Sequence, residues 1–105
     1  MNLKLIITTT DSKQNAQDIS EALIQSKFSP CVQILPNIIS IYRWEEKIKK
    51  GNEYLLLAKT LEKHLDSCKI IIIKQHKYKV PEIIEIDANI LNKEYSDWFQ
   101  DYSIE

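Results

Sequence analysis

The chain has 105 residues, and 14 Lys and Arg nearly balance 15 Asp and Glu for a formal net charge of −1. That leaves no field of the kind that draws a protein onto nucleic acid or an anionic membrane. The longest aliphatic run, Ile70 to Ile73, is bounded by Lys69 and Lys74, far short of the roughly 20 apolar residues of a membrane span. The length fits one domain, residues 1–105, around a single core, small enough that oligomerisation can add materially to its stability.

The segment Met1 to Ile7 carries one lysine, a short apolar stretch and no small-residue cleavage site. It reads as a first strand rather than a secretory signal, so a cytoplasmic protein is expected. Leu3, Leu5 and Ile7 alternate ahead of Thr8-Thr9-Thr10, the pattern of a strand ending in β-branched residues. Asp11-Ser12 then offers capping oxygens, and Ala16, Ile19, Ala22 and Leu23 recur at helical spacing until Ser29-Pro30 stops the helix.

From Cys31 to Trp44 the chain reads as extended, with Pro36-Asn37 marking a bulge or bend. A return arm of equal length runs from Lys47 to Thr60, with Gly51-Asn52 available for a compensating irregularity. Thr60 can cap a second helix with Leu61, Leu65, Cys68 and Ile72 facing inward. The Ile70–Ile73 run has poor helix propensity, and its periodicity also permits a strand. Glu82 to Ile86 reads as a strand, and Asn89 or Asn92 as the start of a terminal helix carrying Tyr95, Trp98 and Phe99.

Arms of about 14 residues at about 3.3 Å each extend roughly 45 Å. A chain of this size has a radius of gyration near 13 Å and a diameter of roughly 33 Å. The hairpin must therefore overhang its own domain, exposing Ile38, Ile39, Ile41, Tyr42, Trp44 and the Tyr54–Leu57 run unless another copy covers them. Self-association follows, and closed cyclic symmetry is the usual way to satisfy such an overhang.

Two segments concentrate ring, charge and imidazole side chains: Tyr42-Arg43-Trp44-Glu45-Glu46-Lys47-Ile48 and His76-Lys77-Tyr78-Lys79-Val80-Pro81-Glu82-Ile83-Ile84. With Lys59-Thr60 between them and Tyr95-Ser96-Asp97-Trp98 at the end, their order resembles the CutA family of small trimeric proteins linked to divalent-cation tolerance. The family pattern runs aromatic-x-Trp-Glu-Gly-Lys, a Lys-Thr strand end, then His-Pro-Tyr-x-x-Pro-Glu-Ile-Ile. The resemblance spans nearly the whole chain. It implies an α+β, ferredoxin-like β-α-β-β-α-β fold with a long central hairpin and a C-terminal helix, assembled as a homotrimer like the PII signalling proteins. It also favours helix for Ile70–Ile73. The order of elements read from the residues gives the same fold.

His76 heads the strongest polar cluster, and an imidazole at neutral pH is the commonest transition-metal ligand. With Glu82 across a proline turn, a mixed nitrogen and oxygen site for copper(II) or another divalent cation is conceivable, although a histidine hydrogen-bonded at a subunit seam would look the same. Relatives proposed to bind copper can carry a cysteine and a second histidine where this chain has Thr8 and Gln75, so the resemblance implies weak, unselective affinity here. Glu46 replaces the family's glycine, which leads to the expectation of a hairpin turn that avoids positive φ.

Cys31 and Cys68 make no Cys-x-x-Cys pair and are expected to be buried thiols. His64 and Cys68, four apart on a helix, have the spacing of a two-ligand clip but no nearby partners. Tyr42, Trp44, Tyr54, Tyr78 and Trp98 look like interface anchors. No nucleophile, base and orienting group stand together, so no enzyme is expected. The leading reading is a divalent-cation tolerance protein of the CutA kind. Its alternatives are a trimeric sensor binding a small anionic metabolite in an inter-subunit cleft near Trp44, Lys59, His76 and Tyr78, or a structural interaction module.

Overall fold

The computed structural model describes residues 1–105. In chain order it contains β1 (Asn2–Thr10), α1 (Lys13–Ser26), β2 (Cys31–Trp44), β3 (Lys47–Thr60), a 3₁₀ turn (Glu62–His64), α2 (Leu65–Gln75), β4 (Ile84–Asn89) and α3 (Lys93–Asp101). The four strands form one antiparallel sheet in the order β2-β3-β1-β4. This is the expected ferredoxin-like α+β arrangement with a C-terminal helix. No helix is long and apolar enough to cross a membrane.

Helices α1 and α2 cover one face of the sheet. Their inward residues Ala16, Ile19 and Leu23, and Cys68 and Ile72, meet Ile6, Leu56 and Ala58 of the strands in a single buried cluster. Each such aliphatic side chain contributes roughly 1.5–3 kcal/mol through burial. The strand alternation expected from Leu3, Leu5 and Ile7 holds, but those residues point away from the helices. The helix-facing set of β1 is Ile6, Thr8 and Thr10, all buried. Threonine suits those positions because it is β-branched like valine and its hydroxyl finds a partner, as Thr10 Oγ1 does by donating to Asn15 Oδ1 at 3.0 Å.

Ser12 caps α1, its Oγ accepting from the Asn15 N–H at 3.1 Å. The helix stops before Ser29-Pro30, because Lys27 adopts a left-handed conformation with φ 64° and donates its N–H to Ile24 O. Thr60 does not cap α2. It ends β3 and turns its hydroxyl to the Phe28 carbonyl at 2.6 Å, while the 3₁₀ turn leads into the helix. The Ile70–Ile73 run is helical, with Ile72 inward. Asn92 caps α3 by accepting from the N–H groups of Glu94 and Tyr95. Strand β4 runs from Ile84 to Asn89 instead of from Glu82 to Ile86, since Glu82 and Ile83 still belong to the loop that follows α2 and the ladder with β1 continues to Asn89 opposite Asn2.

The two arms of the hairpin match the expected spans residue for residue. Leu35 pairs with Leu55 and Ile38 with Glu53, so Pro36 and Asn37 together oppose Tyr54 alone. Proline is tolerated there because β2 is an edge strand, and Asn37 absorbs the bend at φ 59°. Gly51 and Asn52 form no compensating irregularity; they pair in regular register with Ser40 and Ile39. The molecule measures 46 × 25 × 20 Å with a radius of gyration of 14.5 Å, and every residue from 41 to 52 is exposed. The hairpin does overhang.

At its tip the sequence expectation fails. Glu45 and Glu46 have φ 50° and 66° between the paired residues Trp44 and Lys47, the positive-φ turn that matches strand twist. Strand pairing on both sides imposes this conformation even without glycine, at a cost of about 1 kcal/mol per residue. Glu46→Gly is therefore expected to stabilise the protein by about 0.5–1 kcal/mol, read as a higher melting temperature at matched protein concentration. An unchanged or lower value would mean the turn carries no strain.

Candidate functional site

The segment after α2 is fastened to three elements at once. Asn15, in the first turn of α1, donates from Nδ2 to the Gln75 carbonyl at 2.9 Å and accepts the Lys77 N–H on Oδ1 at 3.3 Å. Lys77 Nζ pairs with Asp11 at 2.8 Å. The Tyr78 hydroxyl donates to Glu53 Oε2 on β3 at 2.7 Å.

His76 sits at the middle of this clamp. Its Nε2 lies 3.0 Å from the Thr9 carbonyl and 3.2 Å from Thr8 Oγ1, and its Nδ1 accepts the Tyr78 N–H at 3.1 Å. A carbonyl can only accept and an amide N–H can only donate, so the ring is neutral with its proton on Nε2. Burial holds the imidazole below its ordinary value of 6.5, against the opposing pulls of the Thr9 carbonyl and the Glu53 charge. Burial, followed by the Glu53 hydrogen bond and charge, pushes the Tyr78 phenol well above its ordinary range. Both nitrogens of His76 are thus engaged in fixing the loop, and the ring stacks obliquely on Tyr78 at 5.0 Å.

Beyond the clamp, a groove of about 700 Å³ opens between the hairpin and the loop, lined among others by Tyr42, Trp44, Glu53, Tyr78 and Glu82. The structure therefore brings Trp44, Tyr78 and Glu82 to one groove, with His76 behind Tyr78. Lys59 is elsewhere. It pairs across the sheet with Cys31, whereas Trp44 pairs with Lys47, and the strand from Lys47 to Lys59 sets them roughly 40 Å apart at about 3.3 Å per residue. Within one chain Lys59 cannot share a site with Trp44.

The donors of one chain do not form a metal centre. No group of three or more His, Cys, Asp or Glu side chains converges in the structure. Glu82 is exposed. His64 and Cys68 make no clip: His64 Nε2 bonds the Ile104 carbonyl at 2.7 Å and its ring meets Phe28, while Cys68 is fully buried and donates to Thr60 Oγ1 at 3.5 Å. Burial pushes the Cys68 thiol up. Cys31 is free but only half-buried, because it lies on the face that no helix covers. Sequence reasoning missed Glu53 and Asn15. Nothing distinguishes either from a solvated polar residue until β3 and α1 are placed against the loop.

A ferredoxin-like sheet covered by helices on one face, with a hairpin reaching past its own domain and a histidine-centred clamp at the hairpin's flank, defines the class. The pattern of the family described as "CutA1 divalent ion tolerance protein" matches residues 4–102, and the chain belongs to that family. It is 34% identical over 98 residues to the divalent-cation tolerance protein CutA of Thermus thermophilus, covering 93% of this chain and 95% of that one. It is 32% identical to a chloroplastic CutA 1 of Oryza sativa, of whose length it spans 54% and which covers 91% of this chain. Among solved structures, CutA1 of Oryza sativa superimposes with a TM-score of 0.94 at 30% identity, covering 100% of this chain and 96% of that chain. CutA1 of Ehrlichia chaffeensis gives 0.92 at 32% identity, covering 99% and 97%.

The clamp has two measurable consequences. Tyr78→Phe leaves the half-buried Glu53 carboxylate without its donor and is expected to cost about 1–3 kcal/mol, seen as a lower melting temperature. For His76 the unfolded ring takes a proton near pH 6.5 and the folded ring only at lower pH. The unfolded state therefore holds more protons below 6.5, so this contribution is complete above that pH and is lost as pH falls beneath it. His76→Gln should flatten the decline of melting temperature with acidification; an identical decline would assign it to other groups.

Proposed function

We propose that the protein serves divalent-cation tolerance as a cytoplasmic homotrimer that engages a divalent cation such as copper(II) weakly and catalyses no reaction. The observation that carries this reading is the uncovered face of the sheet. Opposite the helices, Leu5 and Ile7 of β1, Leu55 and Leu57 of β3, Leu35 of β2 and Ile84 and Ile86 of β4 share one surface, continuous with the overhanging hairpin. Ile84 and Ile86 are 48% and 45% exposed, and Tyr42 and Trp44 of the hairpin continue this side, while Ile39, Ile41 and Ile48 lie bare on the hairpin's other side. So much contiguous apolar surface favours association with further copies of the chain, and the family membership supports the trimer.

For the cation, Glu82 is the accessible donor at the groove, and His76 can contribute only by giving up its bond to Thr9 or to Tyr78. Giving up such a bond costs about 1 kcal/mol, which supports weak, exchangeable binding over a resident metal. Two unpaired cysteines support a reducing compartment, although one solved relative, from Archaeoglobus fulgidus, is described as periplasmic.

Sedimentation equilibrium at micromolar concentration is expected to give three times the chain mass of 12.3 kDa. Ile86→Lys, on the uncovered face, should reduce it to one. A trimer that survives this change places the seam elsewhere. Titration calorimetry with copper(II) should show weak binding that Glu82→Gln and His76→Ala each reduce by about tenfold or more. Equal affinity in all three proteins would remove both residues from the cation's path.

A further inference from the structure

The isoleucine run of α2 is longer than the core needs. Cys68 and Ile72 point inward and are fully buried, and Ile71 packs against the same cluster. Ile70 and Ile73 turn the other way and are 65% and 51% exposed. A single exposed apolar residue is ordinary. β-Branched residues weaken a helix, however, so two of them on adjacent turns of a solvated face cost stability and bring no packing within this chain. Helix α1, in the same layer, shows an ordinary solvated face: its exposed residues between Gln14 and Glu21 are Gln14, Gln17, Asp18 and Glu21.

The rim of the isoleucine pair is basic. Residues three and four apart share a helix face, so Lys69 stands one turn before Ile73 and Lys74 one turn after Ile70, and both are exposed. The ion pairs of the chain are Lys4–Asp87, Lys77–Asp11 and Lys93–Asp97, so no carboxylate answers either lysine. A cation suits the last turn of a helix, which accounts for Lys74 but not for Lys69 in the middle. The acidic residues nearby, Glu62 and Asp66, sit at the start of the helix with Lys63 between them.

We propose that the outer face of α2 docks an acidic amphipathic helix of a partner protein. Apolar residues of the partner, spaced three or four apart, lie on Ile70 and Ile73, and its Asp and Glu side chains on either flank meet Lys69 and Lys74. A helix offers its apolar stripe and its charges at the spacing that α2 itself presents. A polyanion with no apolar stripe would leave both isoleucines bare, and an uncharged apolar helix would desolvate both ammonium groups with nothing to answer them. This face lies beyond the helix layer, on the far side of the molecule from the uncovered sheet face, so copies that associate through the sheet leave it open. It shares no residue with the groove at the hairpin and stands whether or not a cation binds there.

The test pans the full chain against a displayed library of peptides of about 15 residues, the length at which an isolated helix begins to hold in water. Selected peptides are then titrated by fluorescence anisotropy, with the assembly mass followed in parallel. They are expected to carry apolar residues three or four apart and an excess of Asp and Glu. Ile70→Ser with Ile73→Ser, and separately Lys69→Gln with Lys74→Gln, should each weaken their binding by about tenfold or more. Raising the salt from about 0.05 M to about 0.5 M should weaken binding to the wild type several-fold and leave the lysine variant nearly unaffected. All four positions are exposed, so both variants should keep the melting temperature and mass of the wild type. Selection of no peptide, selection of basic or neutral ones, or wild-type affinity in either variant would overturn the proposal. A fall in assembly mass in the isoleucine variant would also overturn it, by placing this face between copies. So would binding of phosphatidylserine vesicles that both variants lose while no acidic peptide is selected, which would give the face to a membrane.

Discussion

A four-stranded sheet has two faces, and this chain supplies helices for only one of them. That imbalance shapes both the core of a single copy and the surface it leaves bare. The covered face holds Ile6, Leu56 and Ala58 against α1 and α2, and it accounts for the fold of a single copy. The other face is built from the alternate residues of the same strands, which are just as apolar. A strand cannot bury one side chain without turning the next one the other way, so leucine and isoleucine at consecutive positions commit the protein to two apolar surfaces. A 105-residue chain has too little left over to cover both.

The polar chemistry is arranged around this constraint. His76 carries the look of a ligand in sequence, yet its ring is spent joining β1 to the loop after α2. The clamp positions Tyr78 and Glu53 at one flank of the hairpin, where an overhanging strand pair would otherwise be held only by its own ladder. Lys59 and Tyr95 occupy the opposite end of the uncovered face, where α3 closes over the sheet edge. Charge on that surface is thus confined to its two ends, with the aliphatic residues between them free for contact with other copies.

The elements themselves were legible in the residues because each has a local signal. Ser12 and Asn92 are cap residues, the Pro36-Asn37 pair is a bend in an edge strand, and the arms of the hairpin show β-branched and aromatic enrichment of equal length. Expectations failed where the deciding force acts across the chain. Glu45 and Glu46 take positive φ because fourteen-residue arms on either side fix the turn. Thr60 has the composition of a helix cap but ends a strand, its hydroxyl drawn to Phe28. The candidate site was half legible: Trp44, Tyr78 and Glu82 do meet at a groove, but Lys59 is a strand's length away, and Glu53 and Asn15 have roles that no spacing in the sequence announces.

The bulge at Pro36-Asn37 has a consequence for which side of the hairpin is which. Before it, Val32 and Ile34 point toward the helices opposite Ala58 and Leu56; after it, Ile38 pairs with Glu53 and shares the uncovered side instead. One inserted residue has inverted the odd-even frame of β2 for the rest of its length. Ser40, Tyr42 and Trp44 consequently fall on the side of Glu53 and the groove, whereas an unbroken alternation would have sent them to the opposite side and brought Ile39 and Ile41 round in their place. Asn37 therefore acts as a frame marker for the hairpin tip. A chain shortened by that single residue would close the ladder with Pro36 opposite Tyr54 and Ile38 still opposite Glu53, leaving the aromatic stripe in place; straightening the strand with the residue retained would instead turn Ile39, Ile41 and Arg43 to that side.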